Sequence, residues 1–275
     1  MLRKAFIGAL LCVICGLPLG LVTGVPRPDR RYGAEHEVLA VLRVTSRELR
    51  VHRARAFRYG VAGGATAAYY DARYDLDAVR RVWYGLSPFG SWRGPAHAFV
   101  SFEFADSRFL SISVEARREP GERYSPWLGM LRRYELIYVV GDEPDVIGSR
   151  AVAKGEPVYL YPGRATPAQA ARLLETLLRR AAELQVRPEY YHTLANNCAT
   201  NLADAVNAIT PGRVPWNRAL VLPGFSDEFA YRLGLLALAK PPAEVRGHYR
   251  VEERARAAYG AQDFSTAIRQ GLGRE

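Results

Sequence analysis

The 275-residue chain is 49% hydrophobic and 11% aromatic, which excludes a disordered protein and supplies enough material for one large domain or two small ones. Its formal net charge of +10 comes almost wholly from arginine, since Lys4, Lys154 and Lys240 are the only lysines. The arginines are scattered, with no basic helix, zinc-finger spacing or RNA-binding signature, so no nucleic-acid partner is expected, and anionic lipid headgroups suit the charge better.

The first element is a short positive stretch, Met1 to Lys4, followed by an apolar run from Ala5 to Val25. That run is about the 20 residues a membrane helix needs. Residues 1–25 read as a signal-anchor or a cleaved signal peptide, with the anchor preferred and the body on the extracytoplasmic side. Residues 26–48 read as a linker and lead-in, with a short helix expected near Glu35 to Leu42. From Leu49 the text is strand-like, then comes a glycine-rich turn at Gly60 to Thr66, then an aromatic-rich run from Ala67 to Leu76.

The clearest strand pair is AHAFVSFEF, Ala96 to Phe104, with RFLSISVEA, Arg108 to Ala116. Apolar residues hold the even positions 98, 100, 102 and 104, and again 110, 112 and 114, so both runs predict half-buried strands with one apolar face. A hairpin turning at Asp106 keeps those faces together and sets His97 opposite Glu115, within reach of each other. Strands over Tyr134 to Val140 and Pro157 to Tyr161 follow. Thr166-Pro-Ala-Gln169 then signals a helix with a threonine cap, proline at its first position and a capping box.

YYHTLANNCATNLADAVNAI, Tyr190 to Ile209, carries the sole cysteine outside the leader, so a disulfide within the body is excluded. Leu202, Ala205, Val206 and Ile209 form one helix face, and Asn196 or Asn197 is the natural cap. Cys198 therefore falls at the first turn, where unpaired N–H groups and the helix dipole favour a thiolate and could hold an oxyanion. The bland alternative is a small buried core residue. A nucleophilic thiol needs a base and the base an orienting group; His97 with Glu115 supplies both. Asn196, Asn197 and Tyr191 are the candidate substrate or oxyanion contacts. His192 reads as a loop histidine. No Cys or His pair has metal-ligand spacing and no phosphate-cradling glycine loop is present, so neither metal nor cofactor is expected.

The segments RAFRYG, YDLDAV, PAHAFVSFEF, SISVEARREPGERYSP, YELIYVVGDEPDVI, PEYYHTLANNCATNLA and LPGFSDEFAYRLGLL resemble the N-terminal periplasmic domain family of the Lnb lipoprotein N-acyltransferases, from about Leu49 to Leu236. That resemblance implies an α+β fold of the permuted papain-like, NlpC-like kind: an antiparallel sheet packed against a cysteine-bearing helix, preceded here by the N-terminal membrane helix. It implies Cys198 as nucleophile, His97 as base and Glu115 as third residue. Ala199 departs from the hydroxyl residue expected after the cysteine. The implied organisation is a catalytic domain over 49–240 and a charged C-terminal extension over 241–275. The expected function is a thiol acyltransferase or hydrolase acting on lipids or lipoproteins at the periplasmic face of a bacterial inner membrane. A cysteine peptidase or amidase acting on cell-wall peptide, and a non-catalytic envelope binding module, are the alternatives. A last helix is expected over Ser226 to Ala239, packed on the body or lying against the membrane, with the body preferred.

Overall fold

The computed structural model describes residues 25–26, 29–45, 47–60 and 64–272. The membrane-helix reading of residues 5–25 lies outside the described residues except for Val25, as do three residues of the glycine-rich turn. Among the described residues no helix is long and apolar enough to cross a membrane.

The body is a mixed α+β structure built on one eight-stranded, mostly antiparallel sheet. Its strands are β1 Val41–Val44, β2 Glu48–Arg55, β3 Tyr69–Asp75, β4 Val79–Pro88, β5 Ala96–Phe104, β6 Phe109–Arg117, β7 Glu135–Gly141 and β8 Tyr159–Pro162. They lie in the order β1-β2-β7-β6-β5-β4-β8, with β3 also paired to β2. Among the described residues the one parallel junction is β2 with β7, where Arg55 meets Gly141. A Cβ at Gly141 would stand 2.5 Å from the Arg55 carbonyl oxygen, so the close approach there requires glycine. A small two-stranded ribbon, Arg58–Tyr59 with Ala65–Thr66, stands apart.

The expected hairpin register is present. Phe99 pairs with Ser113, Val100 with Ile112 and Phe102 with Leu110. At the turn, Asp106 Oδ1 accepts the N–H of Arg108 at 3.1 Å, and Ser107 takes a left-handed φ of 61°.

The even-numbered apolar face of β5 and β6 is covered by two helices. The first, α1, is Pro167–Val186, started by the Thr166–Gln169 capping box; the second, α2, is Cys198–Ile209. Leu173, Leu174, Leu177, Leu178 and Leu184 of α1 are buried. Each such leucine contributes roughly 1.5–3 kcal/mol relative to exposure.

The odd-numbered face is covered as well, which the alternation did not predict. Trp83, Phe99 and Leu160 pack there against Val146, Ile147, Tyr249, Val251, Phe264 and Ile268. The segment after Lys240, expected as a charged extension, is thus part of the core. Its Arg269 donates to the buried carboxylate of Glu143, which also accepts from Ser101. Ser101 on this face is thus hydrogen-bonded inside the protein rather than solvated. Beside them Asp145 accepts both Arg55 Nε at 2.8 Å and Nη2 at 2.9 Å, together with Phe57 N–H and Tyr59 O–H.

Two local expectations are corrected, and one strand was missed. The lead-in is ordered: its helix is one turn, Ala34–Glu37, and the chain then enters β1 instead of continuing to Leu42. Strand β4, the longest, was not anticipated; Arg80 and Arg81 mask its alternation, and both its faces are used. The helix α3, Ser226–Arg232, ends before Gly234, whose φ is 66°; Leu236 and Leu238 beyond it are buried in the core of the other face.

Candidate active site

The site lies where β5 and β6 part. Their ladder closes at Phe99–Ser113. Beyond that point β5 continues to pair with β4 as far as Ala96, and β6 with β7 as far as Arg117. Each strand is held by its outer neighbour, and the inner edges between them open. A cavity of about 700 Å³ sits at this opening, lined among others by His97, Glu115, Tyr191 and Cys198.

Cys198 reaches the cavity because Asn197 ends the preceding turn and starts α2. The Asn197 side chain accepts from Ala199 N–H at 2.8 Å and Thr200 N–H at 3.0 Å. Its amide donates to the Thr193 and Leu220 carbonyls at 2.8 and 3.0 Å. Asn197 is therefore fully engaged as a cap, and it takes up two of the first-turn N–H groups expected to serve an oxyanion, those of Ala199 and Thr200. The N–H of Cys198 itself has no hydrogen-bond partner among the described residues. Asn196 does not line the cavity; its side chain is bonded to the Tyr190 carbonyl and to Asn201. Both asparagines hold the turn. Tyr191 does line the cavity, its hydroxyl 3.4 Å from that of Tyr124.

The thiol is free and buried. Burial pushes its pKa up, opposed by the backbone N–H groups of Ala98 and Ala199 and by the charge of Arg150. The helix-tip position does not produce a resting thiolate, because desolvation outweighs the dipoles.

His97 occupies the other side of the opening. Strand alternation puts it on the face of Phe99, with the two rings nearly parallel and their centroids 6.4 Å apart. Cys198 packs with Ala96 and Ala98 on the opposite face. The ring and the sulfur approach one cavity from the two faces of the sheet.

His97 and Glu115 are not a direct ladder pair, because the ladder ends before them. Their nearest polar atoms are 3.9 Å apart, and Ser113 stands between. Ser113 Oγ lies 2.7 Å from His97 Nε2 and donates to Glu115 Oε1 at 2.9 Å. The single hydroxyl proton goes to the carboxylate, so His97 Nε2–H must donate to Ser113. The basic lone pair is then on Nδ1. Burial, reinforced by Arg150 and Lys154, holds the His97 pKa well below its ordinary 6.5 despite Glu115, so the ring is neutral.

Glu115 is the electrostatic centre. Burial alone would raise its pKa, but hydrogen bonding from His36 and the charge of Arg150 hold it well below the ordinary carboxylate value. His36 Nδ1 accepts the Arg118 N–H at 3.1 Å, which leaves Nε2–H to face Glu115 Oε2 at 3.4 Å. Arg150 Nη2 lies 3.5 Å from Glu115 Oε1. Lys154, also in the cavity wall, is lowered to about 8, first by Arg150 and then by burial. His36, Ser113, Arg150 and Lys154 were not anticipated as site residues. Only Ser113 left a trace in the sequence, two residues before Glu115 on the same strand face. His192 does not line the cavity; its Nδ1 accepts from Leu194 N–H at 3.2 Å. Among the described residues no cluster of three or more His, Cys, Asp or Glu could hold a metal ion.

A cavity holding a thiol, a neutral imidazole of fixed tautomer and a buried carboxylate behind it has the parts for nucleophilic catalysis on a carbonyl. The family model of the Lnb N-terminal periplasmic domain matches residues 65–223, more than half of the chain and the part that contains His97, Ser113, Glu115 and Cys198. No curated protein and no solved structure matches. The chain belongs to the Lnb N-terminal periplasmic domain family.

Proposed function

We propose that the protein is a thiol enzyme of the cell envelope, with a permuted papain-like fold, that transfers or hydrolyses acyl groups of lipids or lipoproteins. The order of histidine strand before cysteine helix supports the fold reading, and the periplasmic family supports the location. The apolar run over residues 5–25 supports tethering to the inner membrane.

The observation that carries the reading is the Ser113 relay, which fixes His97 with Nδ1 as its basic nitrogen beside the cavity that holds the thiol. In the reaction, Nδ1 takes the thiol proton as sulfur attacks an ester or amide carbonyl. The tetrahedral intermediate collapses to a thioester as the C–O or C–N bond breaks, and the imidazolium returns the proton to the leaving alcohol or amine. An incoming amine or water, deprotonated by the same nitrogen, attacks the thioester and releases Cys198. The buried Glu115 stabilises the transient imidazolium through Ser113.

Two other readings each have an observation behind them. Arg118, Arg150 and Lys154 in the cavity wall would receive the carboxylate of a cell-wall peptide, which favours a peptidase or amidase. The approach of ring and sulfur from opposite faces favours a non-catalytic binding module.

The test offers purified protein a diacyl lipopeptide and a set of muropeptides side by side. An acyl adduct on the Cys198 peptide, with acyl product from the lipopeptide and neither from Cys198→Ala, is the expected result. Product from muropeptides alone selects the peptidase reading. Unchanged turnover in Cys198→Ala, or no product from any substrate, overturns the thiol-enzyme reading.

A further inference from the structure

The segment RYSPWLGMLRR, Arg123 to Arg133, contains three arginines, no acidic residue, a tryptophan and two leucines. Its centre is the single-turn helix Pro126–Met130. Gly129 seats that helix against the turn before Cys198: a Cβ there would stand 2.3 Å from Thr193 Oγ1, and Thr193 donates to the Pro126 carbonyl at 2.7 Å. The backbone is thus fixed, yet the large apolar side chains point outward. Trp127 is 73% exposed and Leu131 56%, with Leu128 and Leu194 also exposed. Trp127 and Leu194 line the cavity that holds Cys198, and exposed Trp92 lines it too.

Exposing this many large apolar side chains around one opening is costly unless something covers them. The charge pattern says what does. Arg123 and Arg132 flank the patch and make no ion pair among the described residues, and the stretch has no acid to repel phosphate. Tryptophan and leucine at the tip with arginine at the flanks is the composition of a surface that enters the headgroup layer of a bilayer.

We infer that the rim formed by Trp127, Leu128, Leu131 and Leu194 docks into the surface of an anionic bilayer, so that the cavity mouth opens onto lipid. This deepens the lipid reading of the proposed function and names the source of the acyl donor as the membrane itself. Arg123 and Arg132 hold the phosphates while Trp127 and Leu131 reach the acyl boundary.

The experiment uses the full chain with vesicles of phosphatidylglycerol and phosphatidylethanolamine whose acyl chains carry bromine, a short-range quencher of tryptophan. A Trp92→Phe/Trp216→Phe variant retains Trp127 and the buried Trp83. Its emission should be largely quenched, while adding Trp127→Phe should leave only unquenched Trp83 emission. Leu128→Glu/Leu131→Glu in the first background should reduce quenching severalfold. Cys198→Ala should be quenched as strongly as its parent, so a failure of the chemistry and a failure of the docking read differently. Failure of the protein to float with the vesicles, or flotation with no Trp127-dependent quenching, overturns the inference.

Discussion

Ser113 stands between His97 and Glu115 as a relay, 2.7 Å from the imidazole and 2.9 Å from the carboxylate. It is the residue that decides which imidazole nitrogen is basic. Replacing it with alanine should leave substrate binding intact and release the tautomer. Turnover of Ser113→Ala is expected to fall about 100-fold with KM unchanged, a loss within the usual range for general acid–base catalysis. His97→Gln should cost at least as much. Steady-state kinetics on the lipopeptide, with denaturation midpoints of each variant as a folding check, would decide; an unchanged turnover would remove the relay from the mechanism.

The resting thiol should be neutral. Burial raises Cys198 above the ordinary thiol value of 9.0, and His97, held below 6.5, cannot keep an ion pair with it. The rate of Cys198 alkylation by iodoacetamide should therefore climb with pH to an inflection above 9.0. An inflection near neutrality, read by mass spectrometry of the Cys198 peptide, would indicate a preformed thiolate and a different ground state.

The depressed His97 pKa also predicts how stability depends on pH. The unfolded chain takes up a proton on this histidine near 6.5, whereas the native ring resists it. Unfolded protein thus binds more protons below that pH, and stability is complete above 6.5 and declines as pH falls. The decline from this group is at most about 1.4 kcal/mol per pH unit. Glu115, also depressed, adds a second loss below its ordinary 4.5. Urea midpoints measured from pH 7 to 5 should therefore fall less steeply in His97→Gln than in the parent. Equal slopes would show that the ring protonates freely in the native state.

On the face of the sheet away from α1, Asp145 gathers Arg55, Phe57 N–H and Tyr59. Asp145→Ala leaves the buried guanidinium without its partner and should destabilise the fold by about 3–5 kcal/mol. Calorimetry or chemical denaturation measures this directly, and a loss below about 1 kcal/mol would mean that water replaces the carboxylate without difficulty.

Much of the site was legible before any coordinates. Parity along Ala96 to Phe104 and Arg108 to Ala116 set the register, and the helix cap set the cysteine at a helix tip. Parity also implied that His97 and Ala98 point to opposite faces, yet the role of that split depends on where the ladder ends, and pairing length is a tertiary property. The burial of the odd face was invisible because alternation of serine with isoleucine looks the same whether the serines meet water or a carboxylate such as Glu143. His36 and Arg150 come from segments with no periodic signal, and only the packing of the lead-in and of the chain after β7 carries them to Glu115. The C-terminal segment read as a charged extension because arginines and glutamates crowd the few residues, Tyr249, Val251, Phe264 and Ile268, that anchor it.

Asn197 ties the start of α2 to two separate stretches of chain through the carbonyls of Thr193 and Leu220. Both stretches border the cavity: Thr193 and Leu194 on one flank, Val221 and Leu222 on the other. The Cys198 thiol is therefore clasped by the jaws that a ligand would press apart, and any occupant that displaces either jaw also re-aims the sulfur. Occupancy and alignment are mechanically one variable in this architecture, set by a single amide side chain.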